Sequence, residues 1–476
     1  MIAYLYTKTP LIFFTQNLWR DEAFSYLLAI EPINRIISLT AKDFNPPLYY
    51  IVLHYWISIF GSSEIAIRSL SLIMFGLLIY VIYIICDEIF HLSIFGTILM
   101  LILFFINPFL TYYAFEARTY MMVTFFIALS YYALWSNRKK LYIFSITLAL
   151  YTHYLAILIL IAQILPSLIN WKLKFFQKKF SSRYIDVYAM LSSIKSASIF
   201  ITPVVLFFPW LVYMFMVHDF SDSSFWIIRP PSFDLWYIPF VLYTAYERVF
   251  GEYYHGGPGY FVYHTRLLIL LYAILFLPLI IKFQTLKRTI RQRHHRLAYY
   301  RDLLLWAFLP PAILFILALI TNPLYLPRYF IFSAPGLVLL LGLLILSLFQ
   351  NKSDWIHLLM GGILLVTLVT MTHEFNLLNL KYRSKRLIAP LINEIKTQMN
   401  EGDYLYVRSE LDYHLVKYYM GDKMAQVKIY QKVYDQLPGF VGKVIIPRED
   451  VVSSLPIFPN KVFILSYNSY EIVSAY

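Results

Sequence analysis

Five short clusters in this chain hold side chains able to do acid–base or anion chemistry, and each borders an apolar run. Trp19-Arg20-Asp21-Glu22-Ala23 sets two carboxylates side by side. One of them could act as general base while the other orients it, binds a cation or holds an acceptor. A solvated helix start is the plain alternative, because acids favour a helix N-terminus. Asp43-Phe44-Asn45-Pro46-Pro47 follows, with His54 a little further on. Glu116 and Arg118 stand at a mouth between two apolar runs, as a working pair or a structural one. His153 is wedged between two half-length runs. Arg328, in Pro327-Arg328-Tyr329, is an isolated guanidinium that either anchors a helix at the interface or grips a phosphate with two parallel hydrogen bonds. Together these clusters offer acids, an imidazole and guanidinium groups beside apolar helices. A reaction between a hydroxyl and a lipid-linked anion needs that set: a carboxylate takes the proton, and cations neutralise a phosphate leaving group.

The elements that position these groups span a membrane. Of the 476 residues, 60% are apolar and 14% charged, whereas a soluble domain is about half apolar and about a quarter charged. Runs long enough for helices lie at 65–86, 94–113, 120–135, 141–152, 154–169, 197–217, 267–281, 303–320, 331–349 and 355–372, with a short first run at 1–17. This predicts about eleven spans. Residues 47–60 are too few to cross and suit a helix lying in the interface, opened by Pro46-Pro47. The net charge of +13 resolves into topology. With Met1 placed inside, the inside loops carry roughly twice as many Lys and Arg as the longer outside loops. The Arg288–Arg296 tract is then a topology signal beside anionic headgroups, and nucleic acid is not a partner. The five clusters all fall outside. A single cysteine, Cys86, lies within an apolar run as a buried hydrophobe.

Beyond Thr372 the pattern changes to alternating polar and apolar residues. Residues 374–476 read as a small α/β domain, with strands at 404–407, 443–446 and 462–466 and a helix at 411–419. An odd number of spans places it outside, in an accessory role.

The order W-x-DEA, D-x-x-PPLYY-x-x-x-H-x-W-x-x-x-FG-x-x-E-x-x-x-R, YYAFEARTY, YTHY and PRYF resembles the polytopic GT-C fold glycosyltransferases. Within them it is most similar to the branch with protein O-mannosyltransferases and the aminoarabinose transferase of lipid A. The resemblance covers about residues 18–345. It implies an all-α polytopic membrane fold (residues 1–373), with juxtamembrane helices in the first outside loop, carrying the small outer α/β domain (374–476). It also implies a polyprenyl-phosphate-linked sugar donor, an outer active site and inversion at the anomeric carbon. Asp21 matches the proposed catalytic base, with Glu22 beside it, and Glu116 matches the acid of the second outside loop. His153, Arg328, Arg118 and Tyr329 fall where the donor phosphate is held. Asp43, Asn45 and His54 lie in the acceptor loop, Asn45 standing where the segment often reads D-x-H-P-P. The trio Asp21, Glu22 and Glu116 is of a type to bind Mg²⁺ or Mn²⁺; alternatively, cationic residues serve the phosphate without metal.

The expectation is therefore a multi-pass plasma-membrane glycosyltransferase with a cytoplasmic N-terminus. Its partners are a polyprenyl-phosphate sugar, a lipid, glycan or protein acceptor, and the membrane lipids. A transporter or flippase is the alternative, but it calls for inverted repeats and midplane charges, and the sequence has neither. A non-catalytic assembly protein would have no use for the paired acids.

Overall fold

The computed structural model describes residues 9–166, 187–219, 226–245, 294–349 and 355–475, together with Tyr272. The run expected at 267–281 (apart from Tyr272), the basic tract 288–293 and residues 220–225 and 246–266 lie outside the described residues.

The loop expected to lie outside is three helices, α1 (Arg20–Ala29), α2 (Ile33–Lys42) and α3 (Leu48–Phe60), following a single helical turn at Ile12–Thr15. The interfacial segment at 47–60 is thus helical, as its length and aromatic content suggest. Next come α4 (Glu64–Ile84, prolonged by a π-turn at Ile85–Ile89), α5 (Ile94–Ile106), α6 (Pro108–Ala114), α7 (Tyr120–Trp135), α8 (Lys139–Thr152) and α9 (Ala156–Pro166). They are followed by α10 (Val187–Val217), α11 (Asp234–Thr244), α12 (His294–Ile320), α13 (Ala334–Phe349) and α14 (Trp355–Tyr382). Among the described residues five helices are long and apolar enough to cross a membrane, or six if the bent α5–α6 pair is one span. Helix α8, with 14 residues, rises only about 21 Å against a hydrocarbon core of about 30 Å. Helices α8 and α9 meet at His153.

Two expectations are corrected. Residues 94–113 are not one straight span: the chain bends by 62° between α5 and α6. Pro108 has no N–H to continue α5, and the Asn107 side chain accepts from the Leu110 N–H (2.9 Å), starting α6 afresh. Residues 443–446 are not a strand but a 3-10 turn, Lys443–Ile445. Gly442, at φ +74°, opens it where α1 comes close; a Cβ there would lie 2.5 Å from the Phe24 ring.

The C-terminal unit has α15 (Ala389–Gln398), α16 (Tyr413–Met420) and five strands: β1 (Tyr404–Val407), β2 (Val427–Tyr430), β3 (Val451–Val452), β4 (Val462–Ser466) and β5 (Ser469–Val473). The sheet order is β3-β2-β1-β4-β5, parallel except where β5 returns antiparallel to β4. Its apolar face does not close on itself. Leu405, Val416, Val427 and Phe463 join one core with Ala23, Phe24 and Leu28 of α1 and Tyr49, Tyr50 and Leu53 of α3. The first outside loop and the C-terminal unit therefore fold around shared apolar surface, while the membrane helices form a second core.

Candidate active site

Adjacent residues on a helix point about 100° apart, so the first turn of α1 sends its two acids in different directions. Glu22 turns inward and is fully buried, while the side chain of Asp21 remains 36% exposed. The paired carboxylates consequently do different work.

Glu22 is the hub of a buried ion cluster. Its Oε1 accepts from Arg68 Nε (2.8 Å) and the Ala117 N–H (2.9 Å). Its Oε2 accepts from the Trp19 N–H (2.7 Å), Arg68 Nη2 (2.8 Å) and Lys385 Nζ (2.7 Å). Burial opposes its charge, but the Arg68 guanidinium and the Lys385 ammonium overcome that and hold the carboxyl well below its ordinary range. Arg68, near the N-terminal end of α4, uses all five N–H donors. Two go to Glu22 and three to the carbonyls of Phe14, Gln16 and Asn17 at 3.1, 2.5 and 2.8 Å. This single side chain ties the segment before α1, α1 itself and α4 together.

Asp21 faces two guanidinium groups. Arg118 Nη2 and Arg328 Nη1 each lie 3.8 Å from its Oδ2. Arg118 also donates to the Asp21 carbonyl (3.1 Å), which fixes the 115–118 loop to α1. Its buried Nε has no partner among the described residues. Arg328, in the 3-10 turn Pro327–Ser333 that leads into α13, lies against the rings of Trp226 (5.3 Å) and Tyr329 (5.9 Å). Beyond the 3.8 Å ion pair with Asp21, its N–H groups have no hydrogen-bond acceptor among the described residues.

Glu116, in the loop between α6 and α7, is 5% exposed. Burial raises its carboxyl above the ordinary value, Glu22 and Asp21 add to that, and Lys385 and Arg328 oppose it. The Ser71 hydroxyl and the Arg118 N–H both donate to its carbonyl, at 2.7 and 2.8 Å. His153 caps α8, and its Nδ1 accepts from the Leu155 N–H (3.2 Å). Burial, then the nearby Arg118 charge, lowers its imidazole to about 4. At neutral pH it is thus an uncharged ring that carries its proton on Nε2, beside Tyr120 and Tyr329. Asp43 is half-buried next to Arg118 and Asp21. Burial pushes its carboxyl up to about 7, although the Asn45 amide, donating at 2.6 Å, works against this.

The structure thus gathers Asp21, Glu22, Glu116, Arg118 and Arg328 into one locus, adjoined by His153, Tyr329 and the Asp43–Asn45 pair. His54 is not part of it. It donates from Nδ1 to the Ala29 carbonyl (2.7 Å) and fastens α3 to the end of α1. Nor do the three acids converge on a cation. Among the described residues no group of three His, Cys, Asp or Glu side chains is arranged to hold a metal, and the Glu22 oxygens are already filled by five donors. Two cationic residues of the cluster were not among the expected site residues. Arg68 had a signal, as a charge inside an apolar run. Lys385, far along the chain in a polar stretch, had none.

No family model matches the chain, and no curated protein matches it in sequence. Two solved structures share its fold, both of ArnT from Cupriavidus metallidurans. The apo form is 14% identical with TM-score 0.58, over 97% of this chain and 92% of that one. The form bound to undecaprenyl phosphate is 13% identical with TM-score 0.54, over 97% and 93%. The likeness runs through both the membrane helices and the C-terminal sheet unit and establishes the GT-C-type architecture.

Proposed function

We propose that this chain is a plasma-membrane glycosyltransferase that moves a sugar from a polyprenyl phosphate to a hydroxyl of a lipid, glycan or protein at the outer face. The observation that carries the reading is the part-exposed Asp21 carboxylate flanked by Arg118 and Arg328 at 3.8 Å each. Around it, Arg68, Arg118, Arg328 and Lys385 face the carboxylates of Asp21, Glu22 and Glu116. Counting Asp43 beside Arg118 as well, the cluster is close to neutral, and the two guanidiniums flanking Asp21 are the groups that would meet a phosphodiester donor. The shared fold with a protein solved with undecaprenyl phosphate supports the same class of donor.

The step is a direct displacement. The acceptor oxygen forms the new bond to the anomeric carbon and its proton passes to the Asp21 carboxylate. The bond from that carbon to the phosphate oxygen breaks, and the electron pair leaves with the polyprenyl phosphate, inverting the centre. Arg118 and Arg328 neutralise the growing phosphate charge, and His153 donates a hydrogen bond from Nε2. Glu22 touches no substrate; it orients the first turn of α1. Among the described residues no three acids are placed together to hold a metal ion, and no step is routed through one. The N-terminus is read as cytoplasmic and the C-terminal unit as extracytoplasmic, from the distribution of Lys and Arg.

The test is transfer by the purified full chain from polyprenyl-phosphate sugars extracted from its native membrane, with products identified by mass spectrometry. Asp21→Asn should fold, keep undecaprenyl phosphate binding and lose turnover by about 10²-fold or more. Full activity in that variant refutes the assignment of the base.

A further inference from the structure

Lys385 is a buried lysine that the displacement above does not use. It lies three residues beyond α14, at the entry to the C-terminal unit, with its side chain 4% exposed. Its Nζ sits 2.7 Å from Glu22 Oε2, a partner 363 residues away in sequence. Desolvation of an ammonium costs several kcal/mol in a protein interior, so the backbone must place it accurately, and it does. The Lys385 N–H donates to Gln16 Oε1 (3.0 Å), and Asn17 Nδ2 donates to the Arg386 carbonyl (3.2 Å). Further out, Arg386 pairs with Asp412 at 3.0 Å and the Tyr419 hydroxyl accepts from the Leu18 N–H at 2.8 Å. The strand of chain leaving the membrane is thereby laced to the strand entering α1.

We infer that Lys385 is a positioning residue through which the C-terminal unit completes the transfer site. Its ammonium locks Glu22, and with it the α1 turn that presents Asp21 and the 115–118 loop that presents Arg118 and Glu116. This deepens the proposed transfer reaction and rests on it. The C-terminal unit is on this account a structural component of the catalytic centre, joined to it by a shared core and by one charge. The alternative is an outer module that recruits partners, with Lys385 present only for folding.

The two accounts differ in what the charge does to Glu116. That carboxyl faces Lys385 and Arg328 on one side of the ledger and Glu22 and Asp21 on the other, with the Tyr112 hydroxyl, itself beside Arg383, adjacent. Removing the Lys385 charge takes away the largest of the cationic influences that hold the Glu116 carboxyl down, so Glu116 must take up a proton at higher pH. Infrared titration of the full chain in nanodiscs reads this directly, since Glu116→Gln identifies the Glu116 carboxyl band. In Lys385→Met the band's midpoint should move up by about one pH unit or more, while Lys385→Arg leaves it near the parent value. Glycan product in a complemented deletion strain should fall at least about 30-fold in Lys385→Met and recover to within about 5-fold in Lys385→Arg. Lys385→Gln, which keeps a donor to Glu22, serves if the Met variant fails to fold.

An unmoved Glu116 midpoint, or product loss that the Arg variant does not restore, overturns the inference. The underlying reading fails separately: undecaprenyl phosphate, titrated against the parent chain by native mass spectrometry, would not bind.

Discussion

Replacing Glu22 by Gln is the sharpest probe of the buried cluster, because it keeps the shape and removes one charge. Arg68 touches both carboxylate oxygens, through Nε and Nη2, each at 2.8 Å. Whichever way the new amide turns, its NH₂ therefore confronts an Arg68 N–H. In the gentler orientation it also confronts the Ala117 N–H, and in the harsher one the Trp19 N–H and the Lys385 ammonium. Two buried cations lose the anion between them. Breaking a buried pair by removing one partner costs about 3–5 kcal/mol, which is two to more than three orders of magnitude in the folding equilibrium at about 1.4 kcal/mol per tenfold. The assay is reversible unfolding in mixed detergent followed by tryptophan fluorescence, with Lys385→Gln and the double variant completing a cycle. A coupling above about 1 kcal/mol is expected between the two sites. The pH dependence carries a second sign. Because the Glu22 carboxyl is held below its unfolded value of 4.5, the parent loses this stability as pH falls through and below that value, and the Gln variant does not. A variant within about 0.5 kcal/mol of the parent, or a strictly additive cycle, would refute the cluster as drawn.

Other perturbations separate the roles of the surrounding groups. Arg328→Gln removes the guanidinium beside Asp21, and loss of hydrogen bonds to a charged partner at about 1.5–3 kcal/mol should weaken undecaprenyl phosphate binding about 10- to 150-fold, with Lys only partly restoring it. Asp43, pushed up to about 7, binds a proton more tightly folded than unfolded. The parent should therefore lose stability as pH rises from about 4 to about 7, and Asp43→Asn should flatten that slope and be the more stable of the two at pH 8. Since the His153 imidazole is lowered to about 4, activity between pH 5.5 and 8 should show no histidine titration. His153→Gln, whose amide nitrogen can stand in for Nε2, should retain several-fold more turnover than His153→Phe; equal activities would discard the hydrogen bond to the leaving phosphate.

Much of the architecture was legible beforehand because it is written in local pattern. The runs at 65–86, 120–135 and 355–372 each recur as a helix, since twenty apolar residues in lipid have few other ways to satisfy their backbone. The strands at 404–407 and 462–466 recur because short β-rich runs bounded by turn residues state their own conformation. Where several small effects compete, the pattern misled: Gly442 turned the 443–446 run, and Pro108 broke 94–113. The candidate site was legible to the extent that its members border apolar runs, where a charge is costly unless it is used. His54 met the same criterion and turned out to brace α1.

What the sequence determines by itself is the kind of protein and the addresses of its chemistry. Hydropathy, the imbalance of Lys and Arg between loops and the order of the motifs are one-dimensional quantities, and they suffice for a membrane fold with acids and guanidiniums gathered at one face. Only the tertiary structure decided which of two neighbouring acids is buried and which is left part-exposed, that Asp21 stands between Arg118 and Arg328, and that Lys385 joins the cluster at all. Those outcomes depend on the helical rotation between Asp21 and Glu22 and on pairings across 46 and 363 residues. A charge is compensated by whatever the fold brings within about 3 Å of it, and local sequence holds no record of that neighbour.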